Sequence, residues 1–122
     1  DRVLIKDNHR AFWAGRQRRS LADAVRAARA RYPRLAVEIE VETGAELRDA
    51  LEASPDWVLL DNMSPALLRR CVRINAGRAK LEASGGITLA TVARVAATGV
   101  DAISVGALTH SAPAADLSLE FL

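Results

Sequence analysis

Residues 36–42 read Ala-Val-Glu-Ile-Glu-Val-Glu, and this stretch decides the fold class. Its β-branched residues alternate with glutamates, so an extended chain here has one apolar face and one acidic face. A central strand of a doubly wound sheet is covered by helices on both faces and is apolar throughout. A strand with one polar face instead favours a parallel (β/α) barrel, whose active site lies at the carboxyl ends of the strands.

The same two-residue period occurs in other short runs of apolar residues. Five runs predict strands over residues 3–5, 35–41, 57–60, 80–83 and 102–105. Each run brings a polar or small residue to the inward face near its end, namely Lys6, Glu40, Asp61, Ser84 and Gly106. Burying polar groups is costly unless they pair or meet a ligand, so the pattern indicates a binding site.

Helical segments separate the strands. Apolar residues at helical spacing predict helices over residues 20–32, 45–53, 65–75 and 89–97. Ser20 and Ser64 are suited to cap two of them, with Pro65 at the first helical position, and Gly77 and Gly99 are placed to end the helices at 65–75 and 89–97. Five βα units with short loops predict an α/β fold with a parallel sheet and right-handed crossovers.

The length and composition bound the class of protein. The chain has 122 residues, of which 50% are hydrophobic and 26% charged, so it is too apolar to be disordered and has no run long enough to span a membrane. No secretory signal opens it. Its single cysteine, Cys71, is expected in the core, and one cysteine fits a reducing, cytoplasmic setting.

The number of strands falls short of a whole barrel. A complete eight-stranded barrel takes about 250 residues, and this chain supplies five units. A free arc of five strands leaves edge strands and an open lumen exposed. We therefore expect the chain to be part of a longer protein.

The basic residues are concentrated near the start. Residues 8–34 hold eight arginines and one acid, for a local charge of +7, whereas residues 35–122 carry −5. A basic segment is compatible with nucleic-acid binding. Because the segment lacks aromatic residues interleaved for base stacking, a solvated helix face is the favoured interpretation, and neither a nucleic-acid nor a membrane partner is expected.

Three charged residues are candidates for chemistry. Lys6 ends the first strand, where a compact positive charge suits an anion, and its alternative role is an ion pair with Glu38 or Glu40. Glu40 and Asp61 end the next two strands. Carboxylates there are suited to hold Mg²⁺, to accept hydrogen bonds from sugar hydroxyls, or to act as acid and base, and their spacing does not separate these roles.

Two loops are candidates for phosphate binding. Ser84-Gly85-Gly86 follows the fourth strand and opens a helix, and Gly106-Ala107 follows the fifth strand. Glycines allow close approach of a ligand, and free amides at a helix start attract phosphate. His9 and His110 lie just beyond strand ends, where orienting a loop or binding a ligand is favoured over binding a metal.

Five ordered motifs together resemble the C-terminal part of the quinolinate phosphoribosyltransferase family. They are Leu-Ile-Lys-Asp-Asn-His at 4–9, Val-Glu-Ile-Glu-Val at 37–41, Leu-Leu-Asp-Asn-Met at 59–63, Glu-Ala-Ser-Gly-Gly-Ile at 82–87 and Ser-Val-Gly-Ala-Leu-Thr-His-Ser at 104–111. The resemblance implies an open, seven-stranded barrel, of which residues 1–122 are the C-terminal portion. It also implies an upstream N-terminal domain, which packs on the barrel of a partner subunit in a dimer or larger oligomer.

The resemblance implies an activity and a set of roles. The activity is phosphoribosyl transfer to quinolinate with decarboxylation, giving nicotinate mononucleotide for NAD synthesis. Lys6 then resembles the lysine facing both substrates, Glu40 and Asp61 the carboxylates near the ribose hydroxyls and Mg²⁺-pyrophosphate, and the 84–86 and 106–107 loops the 5-phosphate site. His110 is a further candidate for substrate binding. Because the family's quinolinate-clamping arginines lie upstream, this chain alone is expected to be inactive.

Two alternatives accompany this interpretation. A related subfamily associated with molybdenum transport shares the barrel and many of these motifs without an assured quinolinate substrate. A module that binds a phosphorylated ligand without catalysis is the other. The upstream arginines distinguish the first, and binding without product distinguishes the second.

Overall fold

The computed structural model of the protein describes residues 1–6, 8–9 and 20–109. It contains five strands, β1 (Arg2–Ile5), β2 (Ala36–Val41), β3 (Trp57–Asp61), β4 (Lys80–Ser84) and β5 (Ala102–Ile103). Four helices alternate with them, α1 (Leu21–Arg31), α2 (Gly44–Leu51), α3 (Pro65–Asn75) and α4 (Leu89–Ala96), and a 3₁₀ turn follows at Gly106–Leu108. The predicted βα order is therefore confirmed.

The five strands form one parallel sheet in the order β1-β2-β3-β4-β5. Each strand lies beside the next one in sequence, and all four helices pack their buried side chains into one core on the same side of the sheet. A doubly wound sheet would reverse its strand order and carry helices on both faces. The arrangement is that of an arc of a parallel (β/α) barrel, as the alternation at 36–42 predicts.

The core lies between the sheet and the helices. Val37, Ile39 and Val41 of β2 are 0% exposed and face the buried residues of α1 and α2. Cys71 belongs to the same core, and burial raises the pKa of its thiol, whose Sγ lies 3.6 Å from Sδ of Met63. The prediction of a core cysteine is thereby confirmed. A buried neutral thiol is unsuited to act as a nucleophile.

The helix ends follow their local sequence. Oγ of Ser20 accepts the N–H of Asp23 at 3.1 Å, and the Asp23 carboxylate accepts the N–H of Ser20 in return, which completes a capping box. Ser64 caps α3 in the same way through the N–H of Leu67, with Pro65 at the first turn. Both predicted caps are confirmed.

One strand is shorter than predicted. The run at 102–105 gives a strand of only two residues, Ala102–Ile103. Ser104 still donates its N–H to the carbonyl of Ala83 at 2.9 Å, but Val105 then caps the 3₁₀ turn. The chain leaves the sheet early because it turns into the loop that borders the candidate site.

The arginines of α1 lie on its exposed face. Arg26 pairs with Asp23 at 2.9 Å, and Arg29 pairs with Asp56 at 3.1 Å. These contacts fit the solvated helix face that the sequence favours. Over the part of the chain that the structure describes, no helix is both long enough and apolar enough to cross a membrane.

Candidate functional site

Above the pair of Arg2 and Ala36, three rows of side chains cross the face of the sheet that points away from the helices. Counted from the amino ends of the strands, the lower row contains Leu4, Glu38, Trp57 and Lys80, the middle row Glu40, Leu59, Glu82 and Ala102, and the upper row Asp61 and Ser84. Successive rows are two residues apart along each strand, or roughly 6–7 Å. The upper row is at the carboxyl ends of the strands, where barrel enzymes place their chemistry.

Lys6 forms an ion pair at this mouth. Its Nζ lies 3.7 Å from Oε2 of Glu40, and the Glu40 side chain is 6% exposed while that of Lys6 is 52% exposed. The ammonium therefore stands half in solvent above a buried carboxylate. Of the two partners that the sequence allowed, the structure selects Glu40, and it leaves one side of the lysine open to an incoming anion.

Glu40 and Asp61 stand at different heights. Glu40 is the penultimate residue of β2 and pairs in register with Leu59, whereas Asp61 ends β3 and pairs with Ser84. As expected, each carboxylate is the last inward-facing residue of its strand. Asp61 lies one row nearer the mouth, and its Oδ2 accepts a hydrogen bond from Nδ2 of Asn62 at 2.7 Å.

Below the upper row lies a network of charged side chains that the sequence did not reveal. Arg2 at the start of β1 places its Nη1 3.0 Å from Oε2 of Glu38 and 3.5 Å from Oε2 of Glu82. The same guanidinium stacks 4.4 Å from the ring centroid of Trp57, and Glu82 also accepts a short hydrogen bond from the Ser104 hydroxyl. Two carboxylates therefore share one arginine across four strands.

Glu38 is the more deeply buried of the two acids in the network. Its side chain is 6% exposed, and Oε1 has no hydrogen-bond partner among the described residues. Burial raises the pKa of Glu38, and the neighbouring Glu82 raises it further, against the opposing effect of Arg2. The interior beneath the mouth is accordingly net negative when both acids are ionised.

The two glycine-containing loops border one cavity of about 370 Å³. Its lining residues are Ser84, Gly85, Gly86, Ile87, Thr88, Ser104, Gly106 and Ala107. Gly85 and Gly86 have φ of 88° and 60°, which favours glycine, and the space around Gly86 is open. Glycines thus expose backbone at the start of α4, where amides attract anions.

The two histidines have different outcomes. Nδ1 of His9 accepts the backbone N–H of Lys6 at 3.3 Å, so the imidazole lies against the backbone just after β1. His110 lies outside the described residues.

A larger cavity, of about 740 Å³, lies at the opposite end of the sheet. Its charged residues are engaged in the fold, since Lys80 binds Asp101 at 2.8 Å and Arg78 donates to backbone carbonyls of α3. The amino ends of barrel strands generally serve stability, whereas the carboxyl ends carry function. The smaller cavity beside the upper row is therefore the candidate site.

The described residues offer limited metal ligation. No three His, Cys, Asp or Glu side chains come together among them in a metal-binding cluster. Two carboxylates, Glu40 and Asp61, remain near the mouth. This set does not suit a structural metal, but it is compatible with Mg²⁺, which is commonly held by one or two carboxylates together with substrate phosphates.

Comparison with known proteins identifies the family. The model of the quinolinate phosphoribosyl transferase C-terminal domain matches residues 1–120. The chain belongs to this family. The match covers all five motifs that carry the resemblance, and it includes His110, which lies beyond the described residues.

Named relatives agree with this membership. The nicotinate-nucleotide pyrophosphorylase (carboxylating) of Mycobacterium leprae is 42% identical over 125 residues, covering 98% of this chain and 42% of the relative. The probable enzyme of the same name from Bacillus subtilis is 37% identical, covering 98% of this chain and 40% of the relative. The chain thus spans about two-fifths of the length of these relatives.

A solved structure agrees as well. A crystal structure of a NadC deletion mutant matches with a TM-score of 0.85 and 38% identity, covering 95% of this chain and 39% of that one. The relatives' names do not favour the molybdenum-transport alternative.

Proposed function

We propose that the full-length protein carrying this chain transfers the phosphoribosyl group of phosphoribosyl pyrophosphate to quinolinate and decarboxylates the adduct. The products would be nicotinate mononucleotide, pyrophosphate and CO₂, a step of NAD biosynthesis. Family membership supports the proposal. The observation that carries it is the juxtaposition of Asp61 and the cavity between the two glycine loops, because Ser84 both pairs with Asp61 and lines that cavity.

The proposed roles follow from charge and position. The backbone around Gly85, Gly86 and Gly106 holds the 5-phosphate in the cavity beside the start of α4. Asp61 in the upper row accepts hydrogen bonds from the ribose hydroxyls. Its negative charge also favours the positive charge that develops on the ribose as the pyridine nitrogen attacks C1 and the bond to pyrophosphate breaks.

Lys6 serves the anionic groups of the substrates. Its ammonium is half-exposed and is held from below by Glu40, so its position is fixed while one side stays open. A carboxylate of quinolinate or an oxygen of the pyrophosphate suits this side. In the second step the 2-carboxyl group leaves as CO₂, and its bonding electrons remain on C2, which takes up a proton.

Mg²⁺ fits the site as a cation bound jointly with substrate. Asp61 and Glu40 would hold it together with phosphate oxygens, and it would neutralise charge on the departing pyrophosphate.

The complete site needs groups beyond this chain. We infer that the full protein is a cytoplasmic homodimer or larger oligomer built on the open, seven-stranded barrel of its family. An upstream domain and a partner subunit would supply the arginines that clamp the two carboxylates of quinolinate. The isolated chain is accordingly expected to be inactive.

An acceptor comparison tests the proposal. Full-length protein is incubated with phosphoribosyl pyrophosphate, Mg²⁺ and either quinolinate or nicotinate, and nicotinate mononucleotide and CO₂ are measured. We expect product from quinolinate with one CO₂ per nucleotide and little from nicotinate. Absence of product from a folded protein, or product from nicotinate alone, would overturn the assignment.

A further inference from the structure

Asn62 connects the two halves of the candidate site. It follows Asp61 directly and has a left-handed backbone with φ of 52°, which asparagine tolerates better than most residues. Its N–H donates to the carbonyl of Ser84 at 3.0 Å. The pairing of β3 with β4 therefore continues one residue past Asp61, into the mouth of the sheet.

The Asn62 side chain holds the Asp61 carboxylate from one side. Its Nδ2 donates to Oδ2 of Asp61 at 2.7 Å. A hydrogen bond to an ionised carboxylate is short and stronger than a neutral one. The bond restricts rotation of the Asp61 side chain and leaves Oδ1 to face other groups.

The other side of the same amide lies against the phosphate loop. A β-carbon placed on Gly85 would overlap the side-chain amide of Asn62, at 2.6 Å from its Cγ. It would also lie 2.8 Å from the backbone nitrogen of Asn62. Two features therefore disfavour any other residue at position 85, namely the φ of 88° and the close approach of Asn62. The loop rests directly on the asparagine.

We propose that Asn62 is a positioning residue that fixes the separation between the Asp61 carboxylate and the phosphate loop. This inference rests on the proposed function, in which the carboxylate serves ribose hydroxyls and the loop serves the 5-phosphate. The hydroxyls and the 5-phosphate belong to one ligand, a ribose 5-phosphate unit, whose few rotatable bonds limit how far apart they can lie. One side chain that contacts both sites can match their spacing to that unit.

Three variants of the full-length protein test the role. Asn62→Gly keeps the left-handed backbone and removes the amide, whereas Asn62→Asp keeps the shape and removes the donor. Ala76→Gly is the matched control, since Ala76 has φ of 48° but lies after α3, away from the mouth. Binding of ribose 5-phosphate is measured by calorimetry, together with kcat and KM for both substrates, and thermal melting verifies folding.

We expect both Asn62 variants to weaken ribose 5-phosphate binding by roughly tenfold or more, the worth of a hydrogen bond to a charged group. KM for phosphoribosyl pyrophosphate should rise while KM for quinolinate changes little, and Ala76→Gly should behave as wild type. A residue that only adopts the left-handed conformation would be replaced well by glycine. Wild-type behaviour of Asn62→Asp or Asn62→Gly therefore overturns the inference.

The two proposals fail in different ways. A wild-type protein that binds ribose 5-phosphate but forms no nicotinate mononucleotide refutes the proposed function, and weakened binding by the Asn62 variants would then still support the positioning role. A wild-type protein that does not bind ribose 5-phosphate overturns the positioning role itself.

Discussion

Glu38 and Glu40 are two residues apart on one strand, yet their charges are balanced differently. Glu40 pairs with the ammonium of Lys6, at the edge of the mouth. Glu38 shares the guanidinium of Arg2 with Glu82 and has one oxygen without a partner among the described residues. The fold disfavours the ionised form of Glu38, because burial and a second carboxylate both raise its pKa.

Replacement of Glu38 by glutamine should therefore change the pH dependence of stability. The folded protein holds the Glu38 proton more tightly than the unfolded chain, whose carboxyl has the ordinary pKa of 4.5. The wild-type free energy of unfolding accordingly loses a contribution as pH rises from that value through the raised pKa. Glu38→Gln lacks this titration, so its stability relative to wild type should improve as pH rises.

Urea denaturation at a series of pH values measures the effect. Glu52→Gln is the control, because Glu52 is exposed at the end of α2. The difference in the free energy of unfolding between Glu38→Gln and wild type should vary with pH, and that of Glu52→Gln should stay level. A pH-independent difference for Glu38→Gln would contradict the assignment.

At the scale of the element, the loop after β4 differs from an ordinary left-handed turn in the space around its glycine. Gly77 has φ of 77° with open space around it, whereas Gly85 has φ of 88° and lies against Asn62. Gly77→Ala should cost only the conformational penalty, about 1–2 kcal/mol. Gly85→Ala adds steric overlap and should cost about 3 kcal/mol or more.

Denaturation and steady-state kinetics of the two alanine variants test this difference. KM for phosphoribosyl pyrophosphate should rise for Gly85→Ala and not for Gly77→Ala, because Gly85 lines the cavity and Gly77 does not. Equal losses of stability, together with an unchanged KM for Gly85→Ala, would show that the close approach to Asn62 is unimportant.

The amino ends of the strands carry a different kind of carboxylate. Asp101 accepts the N–H of Leu81 at 2.9 Å and the Lys80 ammonium at 2.8 Å. These bonds lower the pKa of Asp101 below its ordinary 3.8. Its contribution to stability is therefore complete above that value and is lost as pH falls through the lowered pKa.

Asp101→Ala should destabilise the protein by about 1–3 kcal/mol at neutral pH, because a backbone donor and a lysine lose their acceptor. Both KM values should remain those of wild type, since Asp101 is far from the mouth. Chemical denaturation and kinetics measure the two quantities. A large change in KM with little loss of stability would place substrate binding at the amino ends of the strands and contradict the proposed site.

For the whole molecule, the sequence predicts how the helices pack on the sheet better than it predicts side-chain contacts between distant strands. Alternation at 36–42 sorts polar from apolar side chains, and this sorting fixes the side on which the helices pack. The pairing of Arg2 with Glu38 and Glu82 depends instead on the register of strands that are distant in sequence. Local patterns do not contain that register, so the network beneath the mouth was missed.

Asn62 illustrates the same limit. Asparagine after an aspartate at a strand end suggests a turn, but only the structure places its amide against Gly85, a residue of the next βα unit. Lys6 and the glycine loops were predictable because strand ends and helix starts are visible in sequence.

The two lysines of the chain offer the most direct test of the central claim, which places phosphoribosyl transfer at the carboxyl ends of the strands. Lys6 lies at the mouth and Lys80 at the opposite end, each paired with one carboxylate. The measurement is the rate of nicotinate mononucleotide formation from quinolinate and phosphoribosyl pyrophosphate by full-length wild type, Lys6→Ala and Lys80→Ala. We expect Lys6→Ala to lose about a hundredfold or more in kcat/KM and Lys80→Ala to retain wild-type turnover. Normal turnover by Lys6→Ala would show that the chemistry does not lie at the carboxyl ends of the strands.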